Sequence, residues 1–228
     1  MIRLLKIVFV LNLIASAVPA AVAEIVDRIV ATVNGQIILQ SDWEDALKYQ
    51  AFVDARAFDQ LSPEDRKAAL DRLIDQELLR EQMHATDFQH ATPREIAERI
   101  QEIRKQYPDA VTPEGWQATL ARYGFTEETL EQHVALQTDL LRLIDARLRP
   151  NITIDSKSIE SYYDQEFVPQ LHQSGGEAAP LSEVTPQIKE LLTQEKMNEL
   201  LIAWLQTLRS GSEIRTEPFA REPYGEAR

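Results

Sequence analysis

The chain has 228 residues, with 24 Lys and Arg against 37 Asp and Glu, no cysteine, 7 glycines and a formal charge of −13. Without cysteine there are no disulfides, thiol nucleophiles or Cys-based zinc or iron–sulfur sites, and the surplus acid argues against a grip on nucleic-acid phosphates or anionic membrane surfaces. So few glycines leave little material for phosphate-cradling loops, which favours a binding protein over an enzyme, built as one extended domain or two small ones.

The N-terminus reads as an export signal. Arg3 and Lys6 precede an apolar run over Ile7 to Ala17 that is too short to span a bilayer, and Ala21-Val22-Ala23 is a small-x-small cleavage site. Cleavage is expected after Ala23, giving a mature chain that begins at Glu24; an uncleaved anchor is the alternative. Loss of Arg3 and Lys6 takes the charge from −13 to −15. The expected location is the periplasm, with no stable membrane insertion after cleavage.

Two β-branched runs, Ile29 to Val33 and Ile37 to Leu39, flank Asn34-Gly35. Both central positions of a type I′ turn need positive φ, so this pair predicts a hairpin. Ser41 is the expected N-cap of a helix on which Trp43, Ala46, Leu47, Ala51, Ala55 and Phe58 recur at helical spacing. Ser62-Pro63, Thr92-Pro93 and Thr112-Pro113 then repeat one start signal, a hydroxyl cap followed by proline and early acid. Their apolar positions are Leu70, Leu73, Ile74, Leu78 and Met83 in the first, Ile96, Ile100 and Ile103 in the second, and Trp116, Leu120 and Tyr123 in the third, which Gly124 ends. Trp116, Tyr123 and Phe125 are expected in the core. Thr126 opens a longer helix with Leu130, Val134, Leu141, Ile144 and Leu148 on its stripe, stopped by Pro150.

After Asn151 a capped helix from Asp155 carries Ile159, Tyr162, Tyr163 and Phe167, and from Pro169 the chain reads as a flexible connection through Ser174-Gly175-Gly176 and Pro180. A last helix over roughly Glu183 to Arg209 places Val184, Ile188, Leu191, Leu192, Leu201, Trp204, Leu205 and Leu208 on one side, and Gly211 closes it. Ile214-Arg215-Thr216 is too short to stand alone. It is expected to add a third strand to the hairpin, which would otherwise be marginal in water.

Chemistry-bearing motifs are scarce. His84, His90, His133 and His172 lack metal-ligand spacing and read as helix-surface or rim residues. No nucleophile elbow, Walker loop or dinucleotide fingerprint occurs, Glu127-Glu128 reads as first-turn charge, and no catalytic residue, metal or cofactor is expected. Tyr49, Phe52 and Val53 lie beside the stripe of the first helix and widen its apolar arc. That arc marks a helix either sandwiched in the domain or lining a groove for a client segment, and Tyr162 and Tyr163 pose the same choice. These five residues are the candidate groove.

The block Val26-Asp27-Arg28-Ile29-Val30-Ala31-Thr32-Val33-Asn34-Gly35-Gln36-Ile37-Ile38, with Ser41-Asp42 opening a helix, resembles the start of the mature SurA family of periplasmic chaperones. Pro186-Gln187-Ile188-Lys189-Glu190-Leu191-Leu192, Glu195-Lys196, Trp204-Leu205, Leu208-Arg209 and Ile214 are similar to the C-terminal helix and strand of that family. The resemblance implies a mainly α fold, a helical chaperone core whose small N-terminal β-hairpin is completed by a C-terminal strand. It divides the chain into the signal (1–23), an N-terminal helical domain (24–150), a helix and connection (151–181), the terminal helix and strand (182–218) and a tail (219–228). Parvulin prolyl-isomerase domains are inserted in the family at the third of these segments; a domain needs on the order of a hundred residues, more than lie there. The resemblance thus implies an ATP-independent holdase for unfolded exported or outer-membrane proteins, without the isomerase. The rivals are an isomerase relative with residual activity, or an assembly scaffold with one partner. Exchange of the terminal helix between protomers would give a homodimer.

Overall fold

A computed structural model describes residues 27–84, 88–173, 175 and 179–217. The expected signal and cleavage site, and the tail from 219, lie outside the described residues. Strands β1 (Ile29–Val33) and β2 (Gln36–Leu39) form the hairpin, and α1 (Gln40–Val53), α2 (Pro63–His84), α3 (Pro93–Arg104), α4 (Pro113–Tyr123) and α5 (Glu127–Leu148) follow. Then come α6 (Ser156–Tyr162), a π-helical segment over Tyr163–Phe167, α7 (Val168–Gln173), α8 (Leu181–Ser210) and β3 (Ile214–Thr216). The fold is mainly α with one three-stranded antiparallel sheet, in the order β2-β1-β3. β3 pairs with β1 as the sequence predicts, Ile214 opposite Val33 and Thr216 opposite Ala31.

Most of the helix starts follow from their caps. Ser62 Oγ accepts from Asp65 N (3.1 Å) and the Asp65 carboxylate from Ser62 N (2.9 Å); Thr92 and Glu95 repeat the exchange. Thr112, Thr126 and Asp155 each accept from the backbone three residues on. These bonds satisfy donors that the first turn of a helix leaves orphaned. Gly124, at φ +78°, ends α4 in the left-handed conformation that glycine adopts without strain.

Four local expectations are corrected. Ser41 does not cap α1: the β2 ladder runs on through Gln40 N to Arg28 O (2.7 Å), and Asp42 takes up Leu39 N–H (2.8 Å). The Ser41 hydroxyl is bonded to Asp27 instead, and that bond is the main reason the Asp27 carboxyl lies below its ordinary pKa. The first helix stops at Val53, short of Ala55 and Phe58. Ala55 takes φ +50°, held by Arg56 N to Ala51 O (2.9 Å) and by the Tyr107 and Tyr123 hydroxyls on the carbonyls of Phe52 and Arg56. Pro169 lies inside α7 rather than opening a connection: in the wider π turn ahead of it Val168 N–H bonds back to Tyr163 O, and a helix tolerates proline where its ladder is already widened. Finally, the stripes on α5 and α8 are not single core faces. Leu141 is 63% exposed and Leu191 40% exposed, whereas Leu140, Leu143 and Met197 are buried.

Three apolar clusters hold these elements. Phe52, fully buried, sits among the rings of Tyr107, Tyr123, Phe125 and Trp116 at 5.3–6.0 Å. The inner face of the sheet (Val30, Val33, Ile38) packs on Leu70, Ile74 and Leu78 of α2. The end of α2 (Leu79, Met83), α5 (Leu140, Leu143) and α8 (Trp204, Leu205) form the third, and Leu208 is shared with the second. Arg209 locks α8 to α2 through Asp75 (2.6 Å) and the Asp71 carbonyl (2.8 Å).

Candidate binding cleft

α5 carries more leucine and isoleucine than one face can bury. Leu130 and Val134 enter the aromatic cluster, and Leu140 and Leu143 face α2 and α8. Successive helix residues point about 100° apart, so Leu141 cannot share the direction of Leu140. It turns with Ile144 into a cleft of about 450 Å³ between α5 and α8. Met197 and Leu201 supply the apolar wall from α8, and Thr138, Gln194 and Asn198 add hydroxyl and amide groups. Methionine has three rotatable bonds and a polarizable sulfur, which lets such a wall fit side chains of different shape.

Two arginines border the cleft, and both are committed to carboxylates. Arg142 donates to Glu95 (2.5 Å) and to the carbonyls of Gln89 (2.9 Å) and His90 (2.8 Å). Arg149 donates to Asp145 (2.5 Å) and, across to α8, to Glu190 (3.3 Å). The rim is thus largely neutralised from within and the apolar centre is its distinctive chemistry. One turn before Arg142, the buried Asp139 accepts from Ala91 N (2.6 Å) and contacts His90 Nδ1 (2.7 Å). Asp139 and Arg142 together fix the chain that enters α3 against this wall.

Thr92, through its backbone and side chain, and Arg142 hold the Glu95 carboxyl at about 2, from an ordinary 4.5. Ser62 and Arg56 likewise bring Asp65 to about 2. A carboxylate depressed on folding contributes stability that is fully present above its unfolded pKa and is lost as pH falls through its folded one. The melting temperature is therefore expected to fall between about pH 4.5 and pH 2. Glu95→Gln should flatten part of that slope in thermal denaturation followed by circular dichroism; an unchanged slope would assign the acid sensitivity to other groups.

None of the five residues chosen from sequence lines this cleft. Phe52 is a correction: it is the centre of the core and cannot wall a groove. Tyr49 and Val53 pack against the same cluster; Tyr49 stacks on His133 at 4.9 Å, and burial raises its hydroxyl pKa. His133 is thus wedged between Tyr49 and Phe125 rather than on the rim, with its pKa lowered by burial. Tyr162 and Tyr163 lie elsewhere, where α6 packs on α8. The Tyr163 hydroxyl donates to Ala179 O (2.9 Å) and its ring stacks on Phe167, while Tyr162 faces Glu166 and Glu195. The signal that would have found the cleft was the adjacent pair Leu140-Leu141 and the several apolar directions of α8.

Among the described residues, no group of three or more His, Asp or Glu side chains could hold a metal ion, and no helix is long and apolar enough to cross a membrane. In comparison with known families, residues 1–143 match the model described as the SurA-like N-terminal domain. No curated protein matches the chain.

Proposed function

From its membership of the SurA-like N-terminal domain family, we propose that this chain is a periplasmic, ATP-independent holdase that shelters apolar side chains of unfolded exported polypeptides in the cleft between α5 and α8. The observation that carries the reading is Leu141, 63% exposed at the lip of an open cleft walled by Ile144, Met197 and Leu201. A large apolar side chain left in water beside such a cleft is where a client side chain gains most from burial. Each client side chain sheltered there contributes about 1.5–3 kcal/mol, which suits repeated capture and release. Outer-membrane proteins are the proposed clients, and Tyr162 and Tyr163 the proposed accessory contacts farther along α8. Surplus negative charge keeps a protein with open apolar surface dispersed.

The reading is tested by diluting a urea-unfolded outer-membrane porin into the mature chain, 24–228, and following light scattering. Suppression of aggregation is expected, and Leu141→Asp should raise the concentration required by about tenfold, the equivalent of about 1.4 kcal/mol. No suppression at severalfold molar excess would overturn the holdase reading, whereas full suppression by Leu141→Asp would move the site away from the cleft. The same samples should leave cis/trans exchange in a proline peptide at its uncatalysed rate; acceleration would support the isomerase reading instead.

A further inference from the structure

The sheet has two edges, and only one is blunted. On the β2 edge, Asp42 takes up the Leu39 N–H (2.8 Å) and the chain turns into α1 at Gln40. On the β3 edge, the pairing with β1 fixes which groups stay free. Asn34 N donates to Glu213 O (2.9 Å) and Glu217 N to Val30 O (3.0 Å), and Arg215 stands opposite Thr32, midway between these pairs. Hydrogen-bonded and non-bonded pairs alternate along an antiparallel ladder, so Ile214 and Thr216 turn their N–H and C=O groups away from β1. Among the described residues, none is bonded to these outward groups.

Side chains alternate across the same strand. Ile214 points inward, to the cluster that also holds the partly buried Leu73 and Leu208. Glu213 and Arg215, bonded to each other through their side chains, share the exposed outer face, and by the two-residue period Glu217 joins them. The open edge therefore presents acid, base and acid in line on one face and an apolar residue on the other. A second copy is a poor match for it. The antiparallel register that uses all the outward groups of both edges places Arg215 on the two-fold axis. It sets Arg215 against its own copy and Glu213 against Glu217, and like charges directly opposite are destabilising.

We propose that the β3 edge takes up an extended segment of an unfolded polypeptide as a fourth, antiparallel strand, bonded to the backbone of Ile214 and Thr216 and carrying base, acid and base at alternate positions. Opposite residues of paired strands share a face, so the two bases meet Glu213 and Glu217, the acid meets Arg215, and an apolar side chain between them lies beside Ile214. Main-chain bonds supply the hold and the alternate side chains the preference. That the segment comes from an unfolded client rests on the holdase reading; the edge is then a second hold, separate from the cleft between α5 and α8.

The test is amide NMR on the mature chain, 24–228, with an end-blocked peptide containing Lys-Thr-Glu-Val-Lys, which sets Thr against Thr216, Glu against Arg215 and Val against Ile214. At about ten times the peptide's Kd, exchange at the Ile214 and Thr216 amides is expected to slow about tenfold, because only the free fraction exchanges. The Glu217 amide, already bonded to Val30, is the reference for any general change. N-methylation of the peptide at Thr and Val removes the two donors aimed at β3 and should abolish the protection. Arg215→Glu should lose the response to this peptide and gain one to Lys-Thr-Lys-Val-Lys. Unchanged exchange at both amides overturns the proposal, as does protection that survives N-methylation at Thr and Val. Slow exchange at both amides before any peptide is added also overturns it, since the edge is then already occupied, by a second copy if the effect rises with protein concentration. Porin suppression without protection at the edge removes the edge and leaves the holdase reading standing; protection without porin suppression keeps the edge as a strand-binding site and removes the holdase reading.

Discussion

Phe52→Ala is expected to destabilise the fold by about 3–5 kcal/mol, the range for removing a large aromatic side chain from a packed core. Total stabilities of such domains are about 5–15 kcal/mol, so the variant would lose a large share of its margin. The reason is local and specific. The ring has no exposure and meets four other aromatic rings, drawn from the chain after α3, from α4 and from the approach to α5. Its carbonyl also receives the Tyr107 hydroxyl, so a shift of α1 into the vacated space would disturb that bond as well. Urea denaturation checks the effect. A loss below about 1 kcal/mol would mean that the aromatic cluster collapses around the gap. Phe52→Leu should cost distinctly less, since it removes less volume.

The second large effect is expected at Asn34. Its backbone sits at φ +49° in the hairpin turn, which the Asn-Gly pair anticipates. Its side chain does more: Nδ2 donates to Glu81 (2.8 Å) and to Ser212 Oγ (3.1 Å), and Oδ1 accepts from Glu213 N (2.9 Å). One amide therefore joins the hairpin, the end of α2 and the residues leading into β3. Asn34→Gly keeps the turn and deletes those bonds, at about 0.5–1 kcal/mol each for exposed groups. Asn34→Ala deletes the same bonds and adds about 1 kcal/mol for a Cβ in the left-handed region. The two variants should thus separate by about 1 kcal/mol in urea denaturation, both well below wild type. If Asn34→Gly matched wild type, the side-chain junction would carry no weight and only the turn would matter.

Local features were largely legible. The hairpin at Asn34-Gly35, the caps at Ser62, Thr92, Thr112, Thr126 and Asp155, and the stop at Gly124 all depend on a few neighbouring residues, whose types express the local hydrogen bonding directly. Two of the four local corrections have the same origin. Ser41 lost its capping role because Asp27, fourteen residues earlier, took its hydroxyl, and Ala55 is held at positive φ by groups around it that include tyrosines from beyond α3 and on α4. In both places a distant partner overrode the local preference.

The candidate site was less legible. The sequence marks surplus apolar residues on α1 and at Tyr162 and Tyr163 and a single stripe on each of α5 and α8, but not which of these residues would be covered. α1 is enclosed by α2, α4 and the aromatic cluster, so Phe52 became core. α5 meets α2 through Leu140 and Leu143 and leaves Leu141 toward a cleft beside α8. Composition, start signals and periodicity determined that this is a mainly helical, cysteine-free chain whose last strand completes its first hairpin, because those outcomes rest on residue type and spacing. Which apolar surface stays open was decided only by the tertiary structure, because burial is a property of the neighbours that a helix face meets and not of the face itself.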